Sequence, residues 1–163
     1  AEKIELQLDG AQPVWTIPGN RTKNGRLHRL PLPPMAAEEF RRAVAAAPAK
    51  SPYVFPSAED PNRASITPMA ITRAMARVVS EMKIATVSPH DLRRTVGTEM
   101  ARLGVPVHVR SLVLNHSPRR RGITEAVYNR YAYDKEKLEA LAQWEAELTR
   151  FVAAKPAALT NVN

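Results

Sequence analysis

The segment Ser88 to Thr98, SPHDLRRTVGT, constrains this chain more tightly than any other stretch. Ser88 can accept a hydrogen bond as a helix N-cap, Pro89 has the fixed φ that suits a first helical residue, and Asp91 puts negative charge in the first turn. The segment therefore predicts a helix start. His90 and Arg93, three residues apart, share one face beside the electropositive end of that helix, where unpaired N–H groups already favour anions. A phosphate suits such a face. The same residues also suit an ordinary helix with a surface histidine and solvated arginines, so the reading needs support from elsewhere in the chain.

A length of 163 residues allows one domain with a real hydrophobic core and is short for two. With 44% hydrophobic and 25% charged residues the composition is globular, and the apolar runs are far shorter than a membrane span. The start AEKIELQLDG lacks the basic and apolar regions of a secretory signal, which predicts a cytoplasmic protein. Zero cysteines exclude disulfides, thiolate metal sites and cysteine nucleophiles. Four histidines without an HExxH pair leave little to hold a metal, so no cofactor is expected. The formal net charge of +8 points to a polyanionic partner. Arg21, Lys23, Arg26 and Arg29 form one basic cluster and Arg119, Arg120 and Arg121 a second, a pattern that suits a positive groove as well as solubilising loops.

Ile4 to Leu8, Val14 to Ile17 and Leu27 to Leu32 read as a small antiparallel sheet. Asn24-Gly25 favours a tight hairpin turn between the last two strands, with Lys23 at its tip. Prolines at 31, 33 and 34 end the sheet, and Met35 to Ala46 reads as a helix stopped by Pro48. Thr67-Pro68 opens another helix, whose Ile71, Met75, Val78, Val79 and Met82 form an apolar face, the methionines being expected to pack in the core. Gly104 ends the helix carrying His90, and Val105 to Leu114 predicts a further one, with His116 at its C-terminus or in the loop beyond. Ile123 to Tyr133 holds three of the four tyrosines. Asp134 is placed as the cap of a helix over Lys135 to Val152, with Leu138, Leu141, Trp144, Leu148 and Phe151 on its apolar face. The fold class expected is α+β, mainly α-helical with a three-stranded N-terminal antiparallel sheet.

A lysine on a hairpin, then His-x-x-Arg, then His, then Tyr resembles the catalytic domain of tyrosine recombinases, the phage-integrase family. WTIPGNRTKNGRLHRLPL is similar to that family's hairpin and lysine, SPHDLRRTVGTEMARLGV to its His-x-x-Arg helix, VLNH to its second histidine, and VYNRYAY with the Trp-containing helix to its nucleophile segment. The resemblance runs from about Val14 to Phe151. In the family a first catalytic arginine lies upstream of the sheet, whereas no arginine precedes Arg21 here. The expectation is therefore a partial C-terminal catalytic domain over residues 1–153 with a disordered tail over 154–163, taken from a longer prophage or mobile-element integrase and weak or inactive alone.

The resemblance implies DNA cleavage and rejoining through a 3′-phosphotyrosyl intermediate, with Lys23 as general acid, His90 and His116 on the phosphate or its protons, Arg93 stabilising the transition state, and Tyr128 as nucleophile. Tyr131 and Tyr133 compete for that last role. Arg21, Arg26, Arg29, Arg94, Arg110, Arg119, Arg120 and Arg121 are expected to contact the DNA backbone or solvent. The implied partner is double-stranded DNA at an attachment site, bound in the nucleoid by a tetramer of the parent, the fragment alone being a monomer. Two other readings stand beside this one: a type IB topoisomerase-like relaxase and a non-catalytic DNA-binding module.

Overall fold

The computed structural model describes residues 1–116 and 132–154. Three short strands, β1 (Leu6–Gln7), β2 (Val14–Ile17) and β3 (His28–Pro31), pair antiparallel in the order β1-β2-β3, with Val14 opposite Pro31 and Ile17 opposite His28. Five α-helices are described: α1 (Pro34–Ala46), α2 (Pro68–Glu81), α3 (Pro89–Arg102), α4 (Val107–Val113) and α5 (Asp134–Ala153). The fold is thus α+β and mainly helical.

The helices begin and end where local chemistry dictates. Thr67 accepts a hydrogen bond from the Ala70 N–H, and Ser88 and Asp91 form a reciprocal capping box at the start of α3. Past α3, Gly104 has φ +79°, its N–H bonds to the Ala101 carbonyl, and the Val105 N–H bonds back to Met100. This Schellman motif turns the chain sharply, so α4 folds back on α3. Met100, Val105, Val109 and Val113 then join Ala140 of α5 in a buried core, with Val96, Leu141 and Trp144 against its edge. Through α5 the helical layer also packs against β3.

Four local expectations need correction. The connection from β2 to β3 is a ten-residue loop over 18–27 containing a 3-10 turn at Gly19–Arg21, in place of a tight hairpin turn. Only Gly25 of the Asn-Gly pair has positive φ, and the Thr22 hydroxyl ties the loop to the carbonyls of Gly19 and Arg26. No residue of α2 is buried: Val78 is 53% exposed and Met82, at its C-cap, 62%, α3 being the main element against which α2 packs among the described residues. Asp134 is the first residue of α5 and not its cap, since its carboxylate is engaged by Arg29 and Lys137. Phe151, placed on the apolar face of the last helix, is 51% exposed.

Candidate nucleic-acid site

His90 and Arg93, one turn apart at the start of α3, line a cavity of about 570 Å³. Arg94, Arg110 and His116 also border it, and no acidic side chain lines it among the described residues. Three arginines, two histidines and a helix N-terminus around one cavity make an anion site by charge and donor type.

The start of α3 owes its rigidity to Ser88 and Asp91. The Asp91 carboxylate accepts from the Ser88 N–H at 3.0 Å and the Ser88 hydroxyl at 2.6 Å. These bonds, with Arg94 and His90 nearby, hold its carboxyl below the usual carboxylate range. Asp91 is therefore charged under all ordinary conditions. It pairs with Arg94 at 3.5 Å, which leaves Arg93 to face α4.

The C-terminal turn of α4 is the meeting point of the site. Asn115 has φ +48°, its N–H bonds to the Leu112 carbonyl, and the His116 N–H bonds to Ser111 at 2.9 Å. A second Schellman motif thereby fixes the backbone of His116. Three successive residues of this turn take hydrogen bonds from three other elements. The Val113 backbone bonds to His28 of β3, the Leu114 carbonyl accepts from the Arg93 guanidinium of α3, and the Asn115 side-chain oxygen accepts from Asn24 at 2.8 Å. Arg110 supports the turn from behind, donating to the carbonyls of Val105 and Gly97.

Not every expected residue joins the cavity. Lys23 is exposed on the 18–27 loop and lines neither this cavity nor a second one of about 310 Å³ beside it, which Asn24, Arg26, Arg29 and His116 border. The two cavities meet at Ser111 and His116. Arg21 is held by Glu5 and by Glu2 at 3.3 Å, and Arg29 by Asp134 at 2.6 Å, so both cations have acidic partners within the chain. Tyr133 meets His108 edge-on with ring centroids 6.0 Å apart, and it lines neither cavity. Tyr128, Tyr131, Arg119, Arg120 and Arg121 lie outside the described residues.

Two residues at this seam were not singled out by sequence. His28 is buried, and its ring is driven below the usual histidine range by that burial and by the Lys137 and Arg93 charges, against a smaller upward pull from its bond to Val113. It is a neutral strut. Period-two counting back from Leu30 and Leu32 would have put it on their inward face. Lys137, also buried, donates to the Arg29 carbonyl at 2.5 Å and pairs with Asp134 at 2.8 Å. Burial would raise the Asp134 carboxyl, but the bonds from Lys137 and Arg29 outweigh it and hold the group low. Nothing in the spacing of α5 marks Lys137, whose partners lie across the fold.

The lysine-bearing loop, the His-x-x-Arg helix and the second histidine thus meet around the C-terminal turn of α4. The family model described as the phage integrase family matches residues 4–135, and the chain belongs to that family. No curated protein and no solved structure matched the chain. Membership carries a tyrosine-recombinase kind of function and DNA as the partner. Among the described residues, no helix is long and apolar enough to cross a membrane.

Proposed function

We propose that the protein is the catalytic part of a site-specific DNA integrase that cuts and rejoins double-stranded DNA through a 3′-phosphotyrosyl intermediate. The observation that supports this most directly is the shared cavity of His90, Arg93 and His116, lined by cations and free of carboxylates among the described residues. A scissile phosphate is a ligand of matching charge.

In the reaction the Tyr128 oxygen attacks phosphorus, forming the O–P bond while the bond from phosphorus to the 5′-oxygen breaks. Lys23 supplies the proton to the leaving 5′-oxygen, while the phenolic proton passes to His90 or to water, His90 otherwise binding the phosphate. Arg93 has five N–H donors, so the bond to Leu114 leaves others for the non-bridging oxygens, where charge grows in the transition state. His116 hydrogen-bonds a further non-bridging oxygen. The phosphodiester energy stays in the covalent link, so a 5′-hydroxyl from another strand can reverse the step and join new partners. Arg26, Arg119 and Arg120 supply sequence-independent backbone contacts, with weaker contributions from the already paired Arg21, Arg29 and Arg94.

The test is a nicked suicide DNA bearing the attachment site, incubated with the full-length protein and with its Tyr128→Phe variant. A covalent band on a denaturing gel that vanishes in the variant supports the reading. Relaxation of supercoils without joining of two sites would indicate a topoisomerase-like enzyme, and binding without any covalent band a non-catalytic module.

A further inference from the structure

Resting on the recombinase reading, we infer that Asn24 and Asn115 are a positioning pair that docks the lysine loop against the His116 turn and so aims Lys23 at the leaving oxygen. The loop is braced internally. Thr22 bonds Gly19 and Arg26, the Gly25 N–H bonds Thr22, and a side chain at Gly19 would collide with the Gly25 carbonyl oxygen. These contacts give the loop a shape but no direction relative to the helices.

Arg21 ties the base of the loop to Glu5 and Glu2, and direction towards α4 comes from one bond. The Asn24 side-chain oxygen accepts from the Arg26 N–H at 3.2 Å, which turns its NH₂ group outward to donate to Asn115 at 2.8 Å. Among the described residues this is the hydrogen bond that joins the loop to α4. Asn115 in turn sits in the left-handed conformation immediately before His116, a place that Asn and Gly fill with least strain. One residue therefore sets the His116 backbone through its own dihedrals and the Lys23 loop through its side chain.

This double role can be separated by chemistry. Asn115→Gly keeps the left-handed turn and removes the acceptor, whereas Asn115→Asp keeps an acceptor. In the full-length protein, covalent-complex formation is timed on suicide DNA with an ordinary 5′-oxygen and on the same DNA with sulfur at that bridging position. A thiol ionises near pH 8.5, about seven units below water, so sulfur leaves without a proton from Lys23.

Asn115→Gly and Asn24→Ala are expected to slow cleavage of the oxygen substrate about tenfold or more, a fraction of the hundredfold or greater effect of a whole general acid. Both should cleave the sulfur substrate at the wild-type rate, and Asn115→Asp should approach wild type on both. Unchanged rates on oxygen, or equal losses on both substrates, would overturn the pairing. Lys23→Ala serves as the control. If sulfur fails to rescue it, the general-acid role of Lys23 fails and the pair's role is overturned with it; if the wild-type protein forms no covalent product on either DNA, the recombinase reading itself fails.

Discussion

The Arg93 guanidinium donates a hydrogen bond to the Leu114 carbonyl, two residues before His116, so the arginine of α3 is held by the turn that carries the second histidine. A planar guanidinium can keep that bond and still offer a fork of N–H groups to a phosphate. A lysine has one compact ammonium on a flexible stem and lacks that planar fork. Arg93→Lys is expected to lower the rate of covalent-complex formation about a hundredfold to a thousandfold, by analogy with the loss of one oxyanion donor. Single-turnover kinetics at saturating DNA check this, and a DNA affinity within about tenfold of wild type separates the catalytic loss from a binding defect.

His28 makes stability depend on mildly acidic pH. Burial and the neighbouring cations depress its proton affinity in the folded state, so the unfolded chain, titrating near the ordinary value of 6.5, binds more protons below that value. The contribution is whole above pH 6.5, declines as the pH falls through the interval beneath it, and levels off below the folded-state value. Denaturant unfolding across pH 5 to 8 should show this slope, and His28→Gln should flatten it. A wild-type slope retained in His28→Gln would contradict the assignment.

Lys137 is buried with Asp134 as its acidic partner, and Asp134 also holds Arg29. Removing one member of a buried pair leaves the other charge uncompensated. Asp134→Asn is expected to cost about 2 kcal/mol, below the largest such penalties, because Asp134 is partly exposed and the Arg29 carbonyl remains. Replacing Lys137 by Met, which removes the charge itself, should cost less. Urea unfolding of the two variants tests the order.

Met100 and Met82 divide the core from the surface. Met100 is fully buried among the valines of α3 and α4, whereas Met82 stands 62% exposed beside α2. Met100→Ala should destabilise by about 2–5 kcal/mol, and Met82→Ser by about 0.5 kcal/mol or less. Thermal unfolding distinguishes the two directly.

The sheet, the α3 cap and the turn after α3 were legible because each rests on chemistry within a few residues: alternation, the Ser88–Asp91 box, and the Gly104 stop. The α2 face was misread because periodicity reports that a face is apolar, not what covers it. The lysine loop was misread for a different reason. Asn-Gly predicts a two-residue turn only when the strands reach it, and β2 ends at Ile17 while β3 begins at His28. The cavity of His90, Arg93 and His116 follows from motifs readable in sequence, but the bonds that assemble it do not. Asn24 with Asn115, His28 with Val113 and Lys137 with Arg29 join residues far apart in the chain, and such pairs leave no local spacing to find.

The central claim is a covalent bond between one tyrosine and a DNA 3′-phosphate, and mass spectrometry of the trapped complex measures it directly. Full-length protein is trapped on suicide DNA, the DNA and protein are both digested, and the linked peptide is sequenced. A 3′-phosphate on Tyr128 is the expected result. A link to a 5′-phosphate, a link through a residue other than tyrosine, or no covalent peptide on DNA shown to be a substrate would contradict the account.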